Sequence, residues 1–256
     1  APRLIGAVIV RIDAQRPDLR RPLPDLSVCA GMRITAVERR AKYLCLRSAG
    51  GGLLCHLGMT GTFRELDAPR AHDHVVLHRA AGPPLVFNDP RRFGLIDLLR
   101  ADGGHAQLDG LGPEPLGADF DAAYLAAACR GRRTAIKALI MDQAVVVGVG
   151  NIYAQEALFR AGIAPHARAG RVPAERLAAL VRAIRTILRA AIRAGGSTIS
   201  DFHAGGADGW FQHDFRVYDR AGQPCRACGA PLRGGRVGGR GTTWCPRCQH
   251  AVFRAS

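Results

Sequence analysis

The sequence of 256 residues predicts an α+β multidomain fold: a β-sandwich first, a helical domain second and a small cysteine-bearing ribbon last. Short, often alternating apolar runs separated by turns fill roughly the first hundred residues. A region with an apolar period of about 3.6 residues follows. Two Cys-x2-Cys pairs then end the chain. We expect domain boundaries at residues 1–110, 111–205 and 206–256.

The first region is expected to be all β. Its glycine and proline clusters at 50–52 and 82–84 are typical of turns between short strands. The predicted strands cover residues 4–12, 33–37, 43–46, 53–57, 74–77, 85–87 and 94–99. This spacing favours a sandwich or a barrel.

The second region is expected to be helical over residues 120–129, 135–141 and 151–161, with a long helix opened by Pro173. A glycine-rich turn precedes the third helix. Gly148 and Gly150 permit left-handed backbone there, and Asn151 is a good N-cap. Free N–H groups at such a helix start can bind a phosphate. An ordinary turn between helices is an equally good interpretation of this segment.

The ribbon carries the clearest chemical signal. Its four thiols, Cys225, Cys228, Cys245 and Cys248, have the spacing of a tetrahedral Zn²⁺ site, so we expect one structural zinc ion. Two structural disulfides are the alternative, which is disfavoured because nothing at the start resembles a secretion signal. The segment between the pairs predicts two short strands and a glycine-rich tip carrying arginine.

A net charge of +15 and a pI near 10.6 favour a nucleic-acid partner over a solvated basic surface. The apolar runs are too short to cross a bilayer. The remaining cysteines, Cys29, Cys45, Cys55 and Cys129, stand singly in apolar settings, as expected of buried thiols in a reducing cytoplasm.

Of the 36 basic side chains, lysine supplies two, Lys42 and Lys137. Arginine can replace lysine at any site that needs only a positive charge. A lysine in such an arginine-rich chain therefore indicates a site that needs a compact ammonium with a tunable pKa. Chance survival is the alternative for each of them.

The segment 88–94 combines turn residues, two arginines and an aromatic ring. Arg91 and Phe93 on such a loop are suited to replace a displaced base, and Met59 is a further candidate. A methionine in the core of a strand is the alternative for Met59. His72 and His74 have no obvious third metal ligand, which favours an imidazole that contacts phosphate.

Eight short motifs follow one another along the chain. They lie at 39–43 (RRAKY), 56–61 (HLGMTG), 72–74 (HDH), 89–94 (DPRRFG), 111–116 (LGPEPL), 135–137 (AIK), 148–154 (GVGNIYA) and 240–245 (RGTTWC). Together they resemble the bacterial formamidopyrimidine-DNA glycosylases, base-excision repair enzymes for 8-oxoguanine. The resemblance implies a monomer that binds damaged double-stranded DNA, excises oxidised purines and cuts the strand by β,δ-elimination. It also implies that the second domain is a helix–two-turn–helix domain.

The resemblance implies roles for individual residues. Lys42 would lie near the lesion phosphate and supply a proton, and Arg240 at the ribbon tip would assist the second elimination. Contacts to the DNA backbone are implied for His72, Arg91, Arg132, Lys137 and Asn151. The gap left by the everted nucleotide would be filled by Met59, Arg91 and Phe93. Residues 201–218 would cap the everted base.

One departure stands beside these matches. The family's chemistry uses an N-terminal proline followed directly by glutamate, whereas this sequence begins Ala1-Pro2-Arg3. No nucleophile and no catalytic glutamate are therefore carried over. A start assigned too late or a truncated chain is one explanation, and a lesion binder without catalysis is another. In a third explanation, the amine of Ala1 or of Lys42 supports weak lyase activity at abasic sites. A general zinc-ribbon module that binds nucleic acid is a further reading.

Overall fold

The computed structural model describes residues 4–194 and 215–251. The expectations for Ala1, for Pro2 and for most of the capping loop at 201–218 lie outside the described residues. The described chain separates into two compact units, one of residues 4–109 and one of residues 110–194 with 215–251. The predicted three-domain boundaries stay a prediction.

The first unit contains two four-stranded antiparallel sheets. One has the order β1 (Ile9–Ala14), β6 (Asp73–Arg79), β7 (Leu85–Asn88), β5 (Thr62–Glu65). The other has the order β2 (Ala36–Arg40), β3 (Tyr43–Ser48), β4 (Gly51–His56), β8 (Leu95–Leu99). Buried apolar side chains from both sheets form one core, among them Ile9, Leu46, Leu53, Leu77 and Phe87. The predicted β-sandwich is confirmed.

Two elements of this unit were not predicted. Strand β5 pairs only with β7 at the edge of its sheet, and its sequence TFRE has a single apolar residue, so the alternation is too weak to detect. A 3₁₀ turn, Leu26–Cys29, is capped by the Asp25 side chain, which accepts from Ser27 N at 2.9 Å. The first predicted strand is also shorter than expected, since β1 begins at Ile9.

The second unit contains the helices α1 (Ala122–Cys129), α2 (Ile136–Met141), α3 (Asn151–Arg160) and α4 (Ala174–Arg193). They pack around a common apolar core that includes Phe120, Ile136, Leu158, Leu180 and Ile184. The arginine-rich face of α4 is partly structural. Arg185 donates to the carbonyls of Pro115, Gly117 and Phe120, which orders the segment leading into α1. No helix in the described ranges is long and apolar enough to cross a membrane.

The ribbon is a two-stranded antiparallel hairpin, β9 (Arg233–Val237) and β10 (Arg240–Trp244). Its two-residue turn places Gly238 and Gly239 at φ of 60° and 72°. Two successive positive φ angles are characteristic of a type I′ turn, which matches the twist of the strands and favours glycine. The predicted hairpin with its glycine tip is confirmed, and Arg240 is the first residue after the turn.

Candidate functional site

Lys42 lies in the tight turn between β2 and β3. The pair Arg40 and Tyr43 closes this turn, and Lys42 itself is exposed. The preceding residue, Ala41, is buried in left-handed backbone at φ 54°, and its carbonyl accepts from Arg39 Nη1 at 2.9 Å. A left-handed alanine is strained, so packing must hold it there. The turn therefore fixes the backbone from which Lys42 extends.

His56 is a neighbour of Lys42 that sequence reasoning did not assign. It pairs with Tyr43 across β3 and β4, with ring centroids 5.2 Å apart. Burial, and then the charges of Lys42 and Arg20, lower the pKa of His56. Its Nδ1 accepts from Gly58 N at 2.9 Å, so the neutral ring carries its proton on Nε2. The sequence could have indicated His56 as a site residue, because it begins the same HLGMTG motif that contains Met59.

Met59, Arg91 and Phe93 are exposed on two adjoining loops. Met59 is 53% exposed and Phe93 is 43% exposed, which rules out a core position for this methionine. Arg91 Cζ lies 5.0 Å from the centroid of the Phe93 ring, a cation–π contact. A Cβ on Gly58 would lie 2.6 Å from Phe93 C, so the two loops approach backbone to backbone. We call these three side chains the wedge group.

A buried carboxylate ties the two loops together. Asp89 is inaccessible to solvent. Its Oδ1 accepts from Thr60 Oγ1 at 2.6 Å, and its Oδ2 accepts from Gly94 N at 2.7 Å. Thr60 belongs to the loop of Met59, whereas Gly94 ends the loop of Arg91 and Phe93. Asp89 therefore positions the wedge group, a role for which the sequence alone gave no signal.

The two histidines of the 72–74 segment have different environments. His74 is buried, and its Nε2 lies 3.0 Å from the carbonyl oxygen of Asp89. His72 is exposed, stands just before β6 and has left-handed backbone at φ 71°. Of the pair, His72 is the one placed to meet a ligand from solvent.

Lys137 and Arg240, far apart in the sequence, meet in the second unit. Lys137 on α2 is 0% exposed, and its Nζ donates to Thr242 Oγ1 at 2.6 Å. Thr242 Oγ1 in turn donates to the carbonyl oxygen of Arg240 at 2.8 Å. Burial, and then the charge of Arg240, lower the pKa of Lys137 to about 8. The predicted phosphate-binding lysine therefore lies beneath the ribbon tip.

The expectation that Asn151 caps α3 is wrong. Gly150 is the N-cap, in extended backbone, and Asn151 is the first helical residue. Its side chain turns towards the ribbon, where Nδ2 donates to the Gly241 carbonyl at 3.2 Å, while Oδ1 is buried without a partner among the described residues. Gly148 is left-handed as expected, at φ 77°, but Gly150 is not.

A cavity of about 490 Å³ opens at this place in the second unit. Asn151, Tyr218, Arg240 and Thr243 are among the residues that line it. Arg132 is the remaining predicted DNA contact. It lies in the exposed turn before α2, and its backbone is bound to Cys129 O and Gly170 N.

The four ribbon thiols converge. Their sulfur atoms all lie within 4.8 Å of one another, and they form the one cluster of potential metal ligands among the described residues. Cys228 and Cys245 Sγ are 3.5 Å apart, and Cys225 and Cys248 Sγ are 4.0 Å apart. Zn–S bonds of about 2.3 Å give tetrahedral S···S edges of about 3.8 Å, which fits this set. All four are free thiols, so the disulfide alternative is wrong.

Comparison with known proteins identifies the family. The N-terminal domain of formamidopyrimidine-DNA glycosylase matches residues 1–96, and its H2TH domain matches residues 111–203. A zinc finger found in FPG and IleRS matches residues 222–251. A formamidopyrimidine-DNA glycosylase of Xanthomonas campestris pv. campestris (strain B100) is 48% identical over 256 residues, which covers 97% of this chain and 94% of the relative. The chain belongs to the formamidopyrimidine-DNA glycosylase family.

Solved structures of formamidopyrimidine-DNA glycosylases share the fold. The MutM (Fpg) protein of Thermus thermophilus is 39% identical with a TM-score of 0.86, over 97% of this chain and 93% of that chain. Lactococcus lactis Fpg in complex with abasic-site DNA is 35% identical with a TM-score of 0.85, over 97% and 94%. The protein is thus a base-excision repair glycosylase and lyase with a four-cysteine zinc finger.

Proposed function

We propose that this formamidopyrimidine-DNA glycosylase removes 8-oxoguanine and formamidopyrimidines from double-stranded DNA and cuts the strand by β,δ-elimination. The observation that carries the proposal is the relationship over nearly the whole chain, at 48% identity. The Lactococcus lactis relative binds DNA that contains an abasic site, the product of base excision. We further propose that the protein acts as a monomer on DNA in a bacterial cytoplasm.

In the first unit, the wedge group supports a role in base eversion. Its exposed Met59 and Phe93 offer apolar surface to replace the lost stacking, which is worth a few kcal/mol. Arg91 contributes a cation that can contact the backbone from the same loop. Lys42 and His72, both exposed, are assigned to phosphates near the lesion, and Lys42 is the proton donor in strand scission.

In the second unit, the ribbon tip supports a role in phosphate binding. Arg240 provides a guanidinium, which binds phosphate bidentately. Lys137 lies beneath it and adds positive charge that an incoming phosphate would complement. Asn151 and Arg132 complete the proposed contacts. The zinc ion has a structural task here, because it would hold the hairpin that presents Arg240.

No nucleophile is assigned among the described residues. The amine that attacks the sugar C1′ forms an iminium, which borohydride reduces to a stable adduct. The test is therefore borohydride trapping on a duplex with one 8-oxoguanine or one abasic site. The 256-residue chain and the same chain extended by the codons that precede it in its gene would be assayed together.

We expect an adduct with the extended chain. An adduct with the 256-residue chain that is lost in Lys42→Arg would instead assign the nucleophile to an internal lysine. Lesion-selective binding without an adduct from either chain would contradict glycosylase activity and leave a lesion-binding protein. Binding without lesion preference would reduce the protein to a general nucleic-acid module.

A further inference from the structure

One side-chain amide, that of Gln155, binds two backbone groups on the outer edge of strand β10. Gln155 Nε2 donates to the Gly241 carbonyl at 3.2 Å, and Gln155 Oε1 accepts from Thr243 N at 2.7 Å. The other edge of β10 pairs with β9. One residue of a parallel strand would bond the same two groups, a carbonyl and the N–H two residues on. Gln155 therefore occupies the position of a third strand in the ribbon.

This contact is buried, and the strand that it holds is intrinsically loose. Gln155 is 2% exposed and Thr243 is 7% exposed, so loss of the amide leaves a buried N–H without its acceptor. Arg240 stands between the glycine pair of the turn and Gly241, and glycine restricts the backbone least. The strand therefore depends on outside contacts for the direction in which Arg240 points.

Two side chains of α3 share the Gly241 carbonyl. Asn151 donates to it at 3.2 Å, as Gln155 does, but makes one hydrogen bond to β10 where Gln155 makes two. Asn151 also lines the cavity together with Arg240. If Asn151 turns to a phosphate, Gln155 still holds the strand. The two residues, one helical turn apart, thus divide the tasks of ligand contact and strand support.

We propose that Gln155 is a positioning residue that fixes β10 so that Arg240 meets the DNA phosphate and Asn151 is released to bind one. The proposal rests on the proposed function, which assigns Arg240 and Asn151 to phosphates. Gln155 lines the same cavity but is only 2% exposed, so its proposed task is to hold the strand and not to contact DNA.

The test measures binding to a duplex with one tetrahydrofuran abasic analogue at several salt concentrations. Arg240→Gln is expected to weaken binding about tenfold and to flatten the salt dependence by about 0.9 per lost phosphate contact. Gln155→Met removes both hydrogen bonds to β10, and the one from Nε2 to the Asn151 carbonyl, without changing charge, and it is expected to lower the same slope. The double variant is expected to have the same salt slope as Arg240→Gln, because both changes remove the same cation–phosphate contact.

Gln249 offers a matched control. Its Oε1 accepts from Cys245 N and its Nε2 donates to Ile163 O, both at 2.8 Å, and it is 4% exposed. It therefore ties the ribbon to the helices with the same chemistry, beyond the end of β10 that is remote from Arg240. Gln249→Met is expected to lower thermal stability but to leave the salt slope as in the parent protein.

Equal slope losses in Gln155→Met and Gln249→Met would overturn the proposal, as would slope losses of Gln155→Met and Arg240→Gln that add in the double variant. An Arg240→Gln protein with unchanged affinity and slope would instead overturn the proposed phosphate site. If Gln155→Met does not retain one zinc ion per chain, Gln155→Glu replaces it. Glutamate still accepts from Thr243 N but does not donate to Gly241, and Gln249→Glu is its charge-matched control.

Discussion

The wedge group and the ribbon tip are held by opposite electrostatic means. The wedge loops are tied by the buried anion Asp89, whose two oxygens each accept a short hydrogen bond from a different loop. The tip is supported by the buried cation Lys137, for which the described contacts give a single neutral acceptor, Thr242. A buried charge is stable when it is fully hydrogen-bonded and costly when it is not.

This difference shows which of the two sites has its buried charge fully hydrogen-bonded before DNA binds. Asp89 is satisfied within its own unit, so the wedge loops are pre-organised and the exposed Met59 and Phe93 need no further partner to hold their positions. Lys137, a cation whose described contacts give one neutral acceptor, leaves the ribbon tip electrostatically incomplete. An incoming phosphate would supply the missing negative charge near Lys137. The free protein is therefore expected to be less stable at the tip than at the wedge.

Removal of zinc is expected to have the largest effect, because it should disrupt the ribbon tip and leave the wedge group intact. Structural zinc contributes on the order of 10 kcal/mol to the folding of small ribbons. Chelation, or Cys245→Ser, should unfold the ribbon and abolish lesion binding, while the core of the first unit still melts cooperatively. Zinc content and circular dichroism measure this effect. Cys45→Ala, which alters a buried thiol of the sandwich, should keep its zinc.

Lys137 provides the next largest effect, through pH. Its pKa is about 8 in the folded chain against an ordinary value of 10.5, so between these values the unfolded chain binds more protons. The free energy of unfolding should therefore rise with pH across this window. From pH 7.5 to 9.5 the gain is about 2 kcal/mol.

Urea unfolding of Lys137→Met at the two pH values should lack this gain, whereas Lys42→Met, which alters the exposed lysine, should retain it. Lys137→Met should also weaken binding to abasic-site DNA. If the free energy of unfolding depended on pH identically in the parent protein and in Lys137→Met, the charge of Lys137 would already be balanced in the free protein.

Asp89→Asn is expected to have an effect on stability of the same order as that of Lys137. The amide keeps the shape of the carboxylate, but its NH₂ group meets either the Gly94 N–H or the Thr60 hydroxyl. The loss of one charge-assisted hydrogen bond should lower the free energy of unfolding by about 1–3 kcal/mol. Lesion binding should weaken as the wedge loops separate, which 2-aminopurine placed beside the abasic site would report through its stacking. Asp109→Asn, at an exposed carboxylate, should change neither quantity.

The sequence predicted those features that local pattern determines. Cysteine spacing located the zinc cluster, alternation located most strands, and glycine identified the ribbon turn. Edge strand β5 escaped because three of its four residues are polar. The predicted cap of α3 was wrong because the Asn151 side chain donates a hydrogen bond to the Gly241 carbonyl, ninety positions away in the chain. Asp89 and Gln155 were missed for the same reason, since their roles come from tertiary hydrogen bonds that leave no periodic trace.

The two lysines have a practical consequence. Lys42 is exposed in its turn, whereas Lys137 is inaccessible to solvent. An acylating reagent applied to the folded chain should therefore modify one side chain, together with the terminal amine. A fluorophore attached in this way would sit at the proposed lesion phosphate without any engineered cysteine. The arginine-rich composition thus leaves one lysine side chain of this sequence accessible for selective labelling.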